Sequence, residues 1–155
     1  MKCRTICRLL VSLLFIFAIL GGTATQVEAS ASASVEDTLL QEINAHRAAR
    51  GAQPLTLNAD LNNAASIRAA EITYFFSHTR PDGTPWYTVD HARVYGEALA
   101  MGFDRSAGGA QGIVRLWMNS PAHASLLLDG GFRSIGFNAC RGGDGHWYWV
   151  AVLGF

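Results

Sequence analysis

The sequence predicts an α+β fold, in which helices come first along the chain and an antiparallel sheet comes last. Two segments between residues 34 and 72 place apolar residues at helical spacing. Near the C-terminus, residues 132–140 and 146–155 each favour a strand, and a glycine-rich turn at 142–145 joins them into a hairpin. Helices followed by a terminal sheet are typical of the α+β class.

The first 29 residues are typical of a signal peptide. Basic residues precede an apolar run over residues 9–20, which is too short to span a bilayer as a helix. Val27-Glu28-Ala29 then supplies small residues at the two positions that a signal peptidase needs. We therefore predict cleavage after Ala29 and a secreted or periplasmic protein, with a retained N-terminal anchor as the alternative.

The remainder of the chain is predicted to be an Ala/Ser linker over residues 30–35 and one domain over residues 36–155. Removal of the signal takes the only lysine with it and leaves a slight excess of acidic residues, so no basic patch remains for nucleic acid. No second apolar run is long enough for a membrane span. Cys140 is then the only cysteine, which excludes an internal disulfide. The oligomeric state is not indicated.

Both N-terminal helices carry start signals. Ser34 and Asp37 form a predicted capping box for the first helix, and Gly51 ends that helix. Asn58 is the predicted cap of the second helix. The second helix has a broad apolar face, which we assign to Leu61, Ala64, Ala65, Ile67, Arg68, Ala69 and Ile72.

The segment after the second helix carries His78 and a turn. In Pro81-Asp82-Gly83, proline presets one dihedral angle and glycine tolerates the left-handed position. Residues 86–89 predict a short helix, and residues 94–97 predict a strand or an extended bridge. We therefore expect His78 on the rim of a turn and Glu97 on the rigid edge of the sheet.

Two more helices precede the terminal hairpin. The third is predicted from Ser106 through Trp117, although its glycines each cost about 1 kcal/mol relative to alanine. Ser120 and Pro121 are the predicted N-cap and first residue of a short fourth helix, which places His123 in its first turn. The last strand is apolar on both faces, which predicts a central strand covered by helices on two sides.

Four motifs in a fixed order resemble the bacterial branch of the CAP superfamily, which unites cysteine-rich secretory proteins, antigen 5 and pathogenesis-related proteins. The motifs are FSHTRPDGT at 76–84, GEA at 96–98, WMNSPAHASLLL at 117–128 and FRSIGF at 132–137. The opening LLQEINAHRAARGAQPLTLNADL also resembles that superfamily, so the resemblance extends over residues 39–155. Each motif alone is weak, but the ordered set is specific.

The resemblance implies an α-β-α sandwich with a central, mainly antiparallel sheet and a solvent-facing cleft. By motif, His78, Glu97 and His123 match the two histidines and the acidic residue of that cleft. The resemblance also implies secretion, with sterols or other lipids as ligands of several members and zinc at the histidines of some. No single enzymatic activity is shared by the superfamily, so the resemblance leaves open whether the chain is an enzyme.

The sequence departs from the family pattern at two places. Ala98 follows Glu97 where the family usually has asparagine, so an amide that could orient the glutamate is missing. Many eukaryotic members carry a second glutamate on the helix before the second histidine, and residues 114–119 offer no acid here. Asn119 is the candidate hydrogen-bonding group in its place.

The three cleft residues admit two interpretations. His78 and His123 could bind Zn²⁺ through imidazole nitrogens, with Glu97 as a third ligand or as a base that acts on bound water. No compact ligand motif such as HExxH supports that site. The alternative is a hydrogen-bonded network that satisfies buried polar groups around the cleft without any reaction.

Three functions follow from these observations. The first is a secreted module whose His/Glu cleft binds a small ligand, a lipid or cell-envelope molecule, or a divalent metal ion. The second is an extracytoplasmic, metal-assisted hydrolase of peptide or cell-wall material, in which Glu97 is the general base. The third is an interaction protein that uses its outer surface. The sequence favours them in that order.

Overall fold

Three layers of secondary structure make up residues 34–155, the part of the chain that the computed structural model describes. Helix α2 covers one face of a four-stranded sheet, and helices α1, α3 and α4 cover the other face. The predicted α-β-α sandwich is therefore confirmed. The elements in chain order are α1 (Val35–Ala48), β1 (Thr56–Leu57), α2 (Ala59–Ile72), a 3₁₀ helix (Trp86–Val89), β2 (Gly96–Gly102), α3 (Ala107–Asn119), α4 (Pro121–Leu127), β3 (Ser134–Arg141) and β4 (Trp147–Gly154).

The predicted signal peptide and residues 30–33 of the predicted linker lie outside the described residues. The last two linker residues, Ser34 and Val35, are the N-cap and the first residue of α1. No helix within residues 34–155 has the length and apolar character needed to cross a membrane.

The helix starts follow the capping signals of the sequence. Ser34 accepts a hydrogen bond from the Asp37 backbone, and the Asp37 side chain accepts one from the Ser34 backbone, which confirms the capping box. Asn58 caps α2 through two backbone N–H groups. Ser106 caps α3 through the Gly109 N–H, and this helix continues two residues beyond Trp117. Ser120 occupies the N-cap position of α4 without a side-chain hydrogen bond.

The sheet has the order β1-β3-β4-β2, and β4 lies between two antiparallel partners. The predicted hairpin of β3 and β4 is confirmed, with Gly145 at φ 86° in the connecting turn. Strand β1 was not predicted; it has two residues and pairs in parallel with β3. The predicted strand at residues 94–97 begins later and is longer than expected, because β2 runs from Gly96 through Gly102 along β4.

The two faces of β4 enter two separate hydrophobic cores, as its sequence predicts. Trp149 and Leu153 pack in the core under α1, α3 and α4, whereas Tyr148 and Val152 pack in the core under α2. The α2 face was predicted only in part, since Ile67 is 48% exposed. Because strand residues alternate between faces, Ala98 and Ala100 of β2 pack in the first core and Leu99 packs in the second.

Helix α2 lies unusually close to the sheet at Gly136. A Cβ atom at this position would lie 2.2 Å from the backbone carbon of Leu61 and 2.4 Å from the backbone nitrogen of Asn62. Only glycine permits this approach. The Asn62 side chain also accepts a hydrogen bond of 2.9 Å from the Phe137 backbone, which fixes the helix against β3.

The buried side chain of Arg47 joins four backbone positions that are distant in sequence from α1 or follow its end. Its guanidinium, with no solvent exposure, donates to four backbone carbonyl oxygens. These acceptors belong to Gln53, Leu127, Asp129 and Phe132, at 2.8, 2.8, 2.9 and 3.2 Å. The end of α1 is thereby joined to the end of α4 and to the segment that leads into β3.

We expect Gly136→Ala to lower the free energy of unfolding by about 1–3 kcal/mol, because α2 must move away from the sheet to admit a methyl group. Urea unfolding followed by circular dichroism measures this change. Gly143→Ala is the matched control, since nothing lies within 4 Å of a Cβ atom there. Equal stability of the two variants would contradict the close approach.

Candidate functional site

A buried ion pair between Arg68 and Glu97 forms the base of the candidate site. Arg68 extends from α2, and Glu97 is the second residue of β2. Arg68 Nε donates to Glu97 Oε2 at 2.7 Å, and Nη2 lies 3.3 Å from Oε1. Neither side chain is exposed to solvent. The carboxylate therefore contacts a fixed guanidinium and not water.

His78 is the second side chain that forms a hydrogen bond with the Glu97 carboxylate. Its Nδ1 atom lies 2.8 Å from Glu97 Oε1, and its side chain is 54% exposed. A carboxylate only accepts hydrogen bonds, so Nδ1 of His78 must be the donor. In the neutral imidazole, Nε2 is then left with a free lone pair. Glu97 thus fixes both the orientation and the tautomer of His78.

The same arginine holds the backbone next to His78. Arg68 Nη2 donates to the carbonyl oxygen of Ser77 at 2.7 Å. Burial lowers the pKa of Arg68, but hydrogen bonds to Glu97 and Glu71 raise it by more, so the guanidinium stays charged. One buried cation therefore positions both the carboxylate of Glu97 and the chain that carries His78.

Glu71 connects this pair to the turn that follows His78. Arg68 Nη1 donates to Glu71 Oε2 at 2.5 Å, and Arg80 Nη2 donates to Glu71 Oε1 at 2.6 Å. Burial raises the pKa of Glu71, but its hydrogen bonds with Arg80 and Arg68 lower it by more, to a value below the usual range. The turn at residues 79–85 is thus held by charges on α2 as well as by its own backbone bonds.

His123 faces the same region from α4. It is the third residue of this helix and is partly buried. Burial lowers the pKa of His123 from its ordinary value of 6.5, and the charge of His78 lowers it further. At neutral pH its imidazole is therefore uncharged. The prediction that His123 lies in the first helical turn is confirmed.

Asn119 and Ala98, the two positions where the sequence departs from the family pattern, do not contact this carboxylate through a hydrogen bond within the described residues. Asn119 is the exposed last residue of α3, and within residues 34–155 it makes no side-chain hydrogen bond to His78, Glu97 or His123. Ala98 is fully buried in the core under α1, α3 and α4, on the face of β2 opposite to Glu97. A side chain at position 98 would therefore not orient Glu97, and Arg68 performs that role.

The three site residues do not form a three-ligand metal centre. Within residues 34–155, no group of three or more His, Cys, Asp or Glu side chains is placed to hold a metal ion. Both oxygen atoms of Glu97 are already hydrogen-bonded to Arg68 and His78. The available ligands are therefore at most the two imidazoles.

Sequence reasoning placed Arg68 on the apolar face of α2 and gave it no role. Arg68 does lie on that face, between the buried residues Ala65 and Ala69, but as a fully buried charge. A buried arginine requires an anionic partner from another element. The sequence pattern that could have indicated a role for Arg68 is a single charged residue on an alanine-rich helix face that is directed at the core.

Comparison with known proteins identifies the family to which this domain is similar. A family model described as CAP, cysteine-rich secretory protein family, matches residues 40–153. The protein YkwD of Bacillus subtilis is 27% identical over 128 residues, which cover 79% of this chain and 48% of that protein. This chain thus matches about half the length of YkwD.

Solved structures show the same fold. An outer surface protein of Borrelia burgdorferi has a TM-score of 0.62 and 24% identity, over 75% of this chain and 88% of that chain. A cysteine-rich secretory protein of Staphylococcus aureus has a TM-score of 0.58 and 24% identity, over 78% of this chain and 38% of that chain.

The domain is an α-β-α sandwich with one histidine on a turn, one on a short helix and a buried glutamate bound to the first of them. The chain belongs to the CAP family, whose model spans nearly all of the domain.

We expect Arg68→Met to lower the free energy of unfolding by about 3–5 kcal/mol, because the buried Glu97 carboxylate loses its partner. Arg68→Met/Glu97→Met should be more stable than Arg68→Met alone, since the uncompensated charge is then absent. Urea unfolding of the four proteins in this cycle measures the coupling.

Arg115→Met is the matched control, because Arg115 is exposed and forms no ion pair within the described residues. It should change stability by less than about 0.5 kcal/mol. Additive effects of the Arg68 and Glu97 substitutions would contradict a stabilising pair.

We expect His123 to titrate below pH 6.5 and its midpoint to rise in His78→Gln, because the charge of His78 is then removed. Its folded pKa lies below the unfolded value, so its contribution to stability is complete above about pH 6.5 and declines as the pH falls. NMR titration of the imidazole protons measures the midpoint. His46→Gln, on the exposed surface of α1, should leave it unchanged, and an unchanged midpoint in His78→Gln would contradict the interaction.

Proposed function

We propose that this CAP domain is an extracytoplasmic binding module, whose cleft at His78, Glu97 and His123 holds a small ligand through the two imidazoles. The observation that supports this most is the complete burial of the Glu97 carboxylate between Arg68 and His78. A carboxylate that is buried in this way cannot contact a ligand itself, and its role is to orient the imidazole of His78. Both imidazoles then offer polar atoms to a ligand, and the ring of His78 is already oriented by Glu97.

The surface beside His78 favours an amphiphilic ligand such as a lipid or another molecule of the cell envelope. Three aromatic side chains that closely precede His78 are exposed: Tyr74 by 72%, Phe75 by 44% and Phe76 by 52%. Phe76 packs against Tyr148 at a ring-centroid distance of 5.8 Å, which fixes its position. Tyr74 and Phe75 line a pocket together with Thr79 and Arg80, which follow His78 in the chain. We propose that the apolar groups of the ligand cover these rings and that its polar head contacts the imidazoles.

Zinc, which the family resemblance implies, does not fit the donor set as a catalytic ion. Such sites use three protein ligands and an open position, and here the buried Glu97 is committed to Arg68. A divalent ion would have the two imidazoles as its protein ligands and would take its other donors from the ligand or from water.

The contacts of Glu97 also do not favour the hydrolase hypothesis. A general base must reach the proton that it removes, either directly or through one water molecule. The side chain of Glu97 has no exposed surface, and both of its oxygen atoms accept hydrogen bonds from protein groups. The same geometry therefore supports a binding role for this site.

An extracytoplasmic location is supported by two independent observations. The N-terminal 29 residues have the pattern of a signal peptide. Two proteins with the same fold are described as an outer surface protein and a secretory protein. We propose that this domain functions outside the cytoplasm as well.

The full chain, purified after export, should retain a lipid or envelope component from a cell-envelope extract, and His78→Ala/His123→Ala should retain less than about a tenth as much. The reason is that the double variant removes both polar contacts to the ligand. Mass spectrometry of the retained molecules provides the measurement.

The control is His46→Ala, which removes an exposed histidine from α1, far along the chain from the cleft motifs. It should retain the ligand as the unmodified protein does. Retention by the double variant at the same level would refute a role for the imidazoles, and an absence of any retained molecule from every extract would count against the binding module itself.

A further inference from the structure

Residues 77–85, which we call the His78 turn, form a unit with its own hydrogen bonds. The backbone N–H of Arg80 donates to the carbonyl oxygen of Thr84 at 2.8 Å, and that of Gly83 donates to the carbonyl oxygen of Arg80 at 2.9 Å. The shape of the turn therefore depends on its own backbone. Its place in the domain has to be set by other contacts.

One network of charges sets that place. Within residues 34–155, the hydrogen bonds that join the His78 turn to the helices and strands of the sandwich, other than to the adjoining 3₁₀ helix, all end on Arg68, Glu71 or Glu97. These bonds are Arg68 to the Ser77 carbonyl at 2.7 Å, His78 to Glu97 at 2.8 Å and Arg80 to Glu71 at 2.6 Å. Arg68 binds both glutamates, so the three bonds belong to a single network.

Arg80 is the member of this network that acts beyond residue 78. Its Nε atom donates to both carboxylate oxygens of Glu71, at 3.0 and 3.2 Å, and its Nη2 atom donates to Oε1 at 2.6 Å. A two-pronged contact between a guanidinium and a carboxylate restricts the angle as well as the distance. The pair therefore fixes both how far the His78 turn lies from α2 and how the turn is tilted.

Glu71 also supports the aromatic side chains that follow α2. Its carbonyl oxygen accepts a hydrogen bond from the Phe75 N–H at 3.1 Å. Tyr74 and Phe75 line one side of a pocket of about 350 Å³, and residues of the His78 turn line the other side: Thr79, Arg80, Pro81 and Gly83. The Arg80–Glu71 pair therefore connects the two walls of this pocket.

We propose that Arg80 is a positioning residue of the ligand site. Through Glu71 it keeps the His78 turn in a fixed relation to Tyr74 and Phe75, so that one molecule contacts the imidazole of His78 and the aromatic pocket at the same time. This inference rests on the binding function proposed above and narrows the class of ligand to a two-part molecule. Because the free Nε2 lone pair of His78 is an acceptor, the polar head has to donate a hydrogen bond, as a hydroxyl group does.

The first test measures how the imidazole of His78 is held, and it needs no ligand. Long-range ¹H–¹⁵N spectra of the full chain at about pH 8, where an imidazole is uncharged, show which ring nitrogen carries the proton. The Nδ1 tautomer of His78 should predominate, because Glu97 accepts from that atom. Arg80→Met should lower the ratio of this tautomer to the Nε2 tautomer about fivefold, as expected for the loss of one ion pair.

Arg93→Met is the matched control, because it removes an exposed arginine that pairs with Asp60 and Asp90 outside the network. It should keep the tautomer ratio of the unmodified protein. Arg80→Lys retains the charge without the two-pronged contact, so its ratio should lie between those of Arg80→Met and the unmodified protein. A ratio in Arg80→Met equal to that of the unmodified protein would overturn the proposal. Should Arg80→Met fail to fold, an unchanged ratio in Arg80→Lys does the same.

The second test uses octyl β-D-glucoside below its critical micelle concentration as the two-part probe, with methyl β-D-glucoside and octanol as its separate parts. Binding is followed by the shifts of the His78 and Phe75 resonances. Arg80→Met should weaken octyl glucoside binding about fivefold and should change the binding of either part by less than about twofold, because each part uses only one wall of the site.

Equal weakening of all three probes would show a general loss of the site and would overturn a positioning role. If the unmodified protein does not bind octyl glucoside, the two-part ligand is overturned and the binding function loses support. The tautomer ratio then still decides whether Arg80 positions His78, so the two failures are distinguished.

Discussion

The position of the candidate site depends on one buried cation, Arg68, and on its pairing with Glu97. A charge that is removed from water must be paired and hydrogen-bonded, and Arg68 meets that requirement with two glutamates and one backbone carbonyl. The partners come from α2, from β2 and from the loop that carries His78. The same electrostatic requirement therefore holds a helix, a strand and a turn in a single arrangement.

This pairing changes the chemical meaning of the glutamate. A motif with two histidines and one acid is compatible with a metal centre, a general base or a structural network. Here the acid is fully enclosed and its two oxygen atoms contact a guanidinium and an imidazole. Glu97 therefore acts on the surroundings only through His78, whose half-exposed ring is the part of the pair that a ligand can reach.

The fold could be predicted from the sequence to a large extent, because its helices carry local start signals and its hairpin carries a glycine turn. Motif order indicated which distant segments meet at the cleft. Arg68 was missed because a helical period assigns a residue to a face but does not reveal its partner across space. Strand β1 was missed because two residues carry no periodicity, and the length of β2 was missed because its small residues are favoured in a strand only by pairing with β4.

The buried Arg47 has a consequence for how the sequence of this domain can vary. All four of its acceptors are main-chain carbonyl oxygens, which every amino acid possesses. Substitutions at Gln53 or Asp129 would leave these acceptors in place, whereas replacement of Arg47 would remove the donor that all four share. The side chains of the surrounding segments can therefore vary without loss of these hydrogen bonds. Only the residue at position 47 has to stay the same.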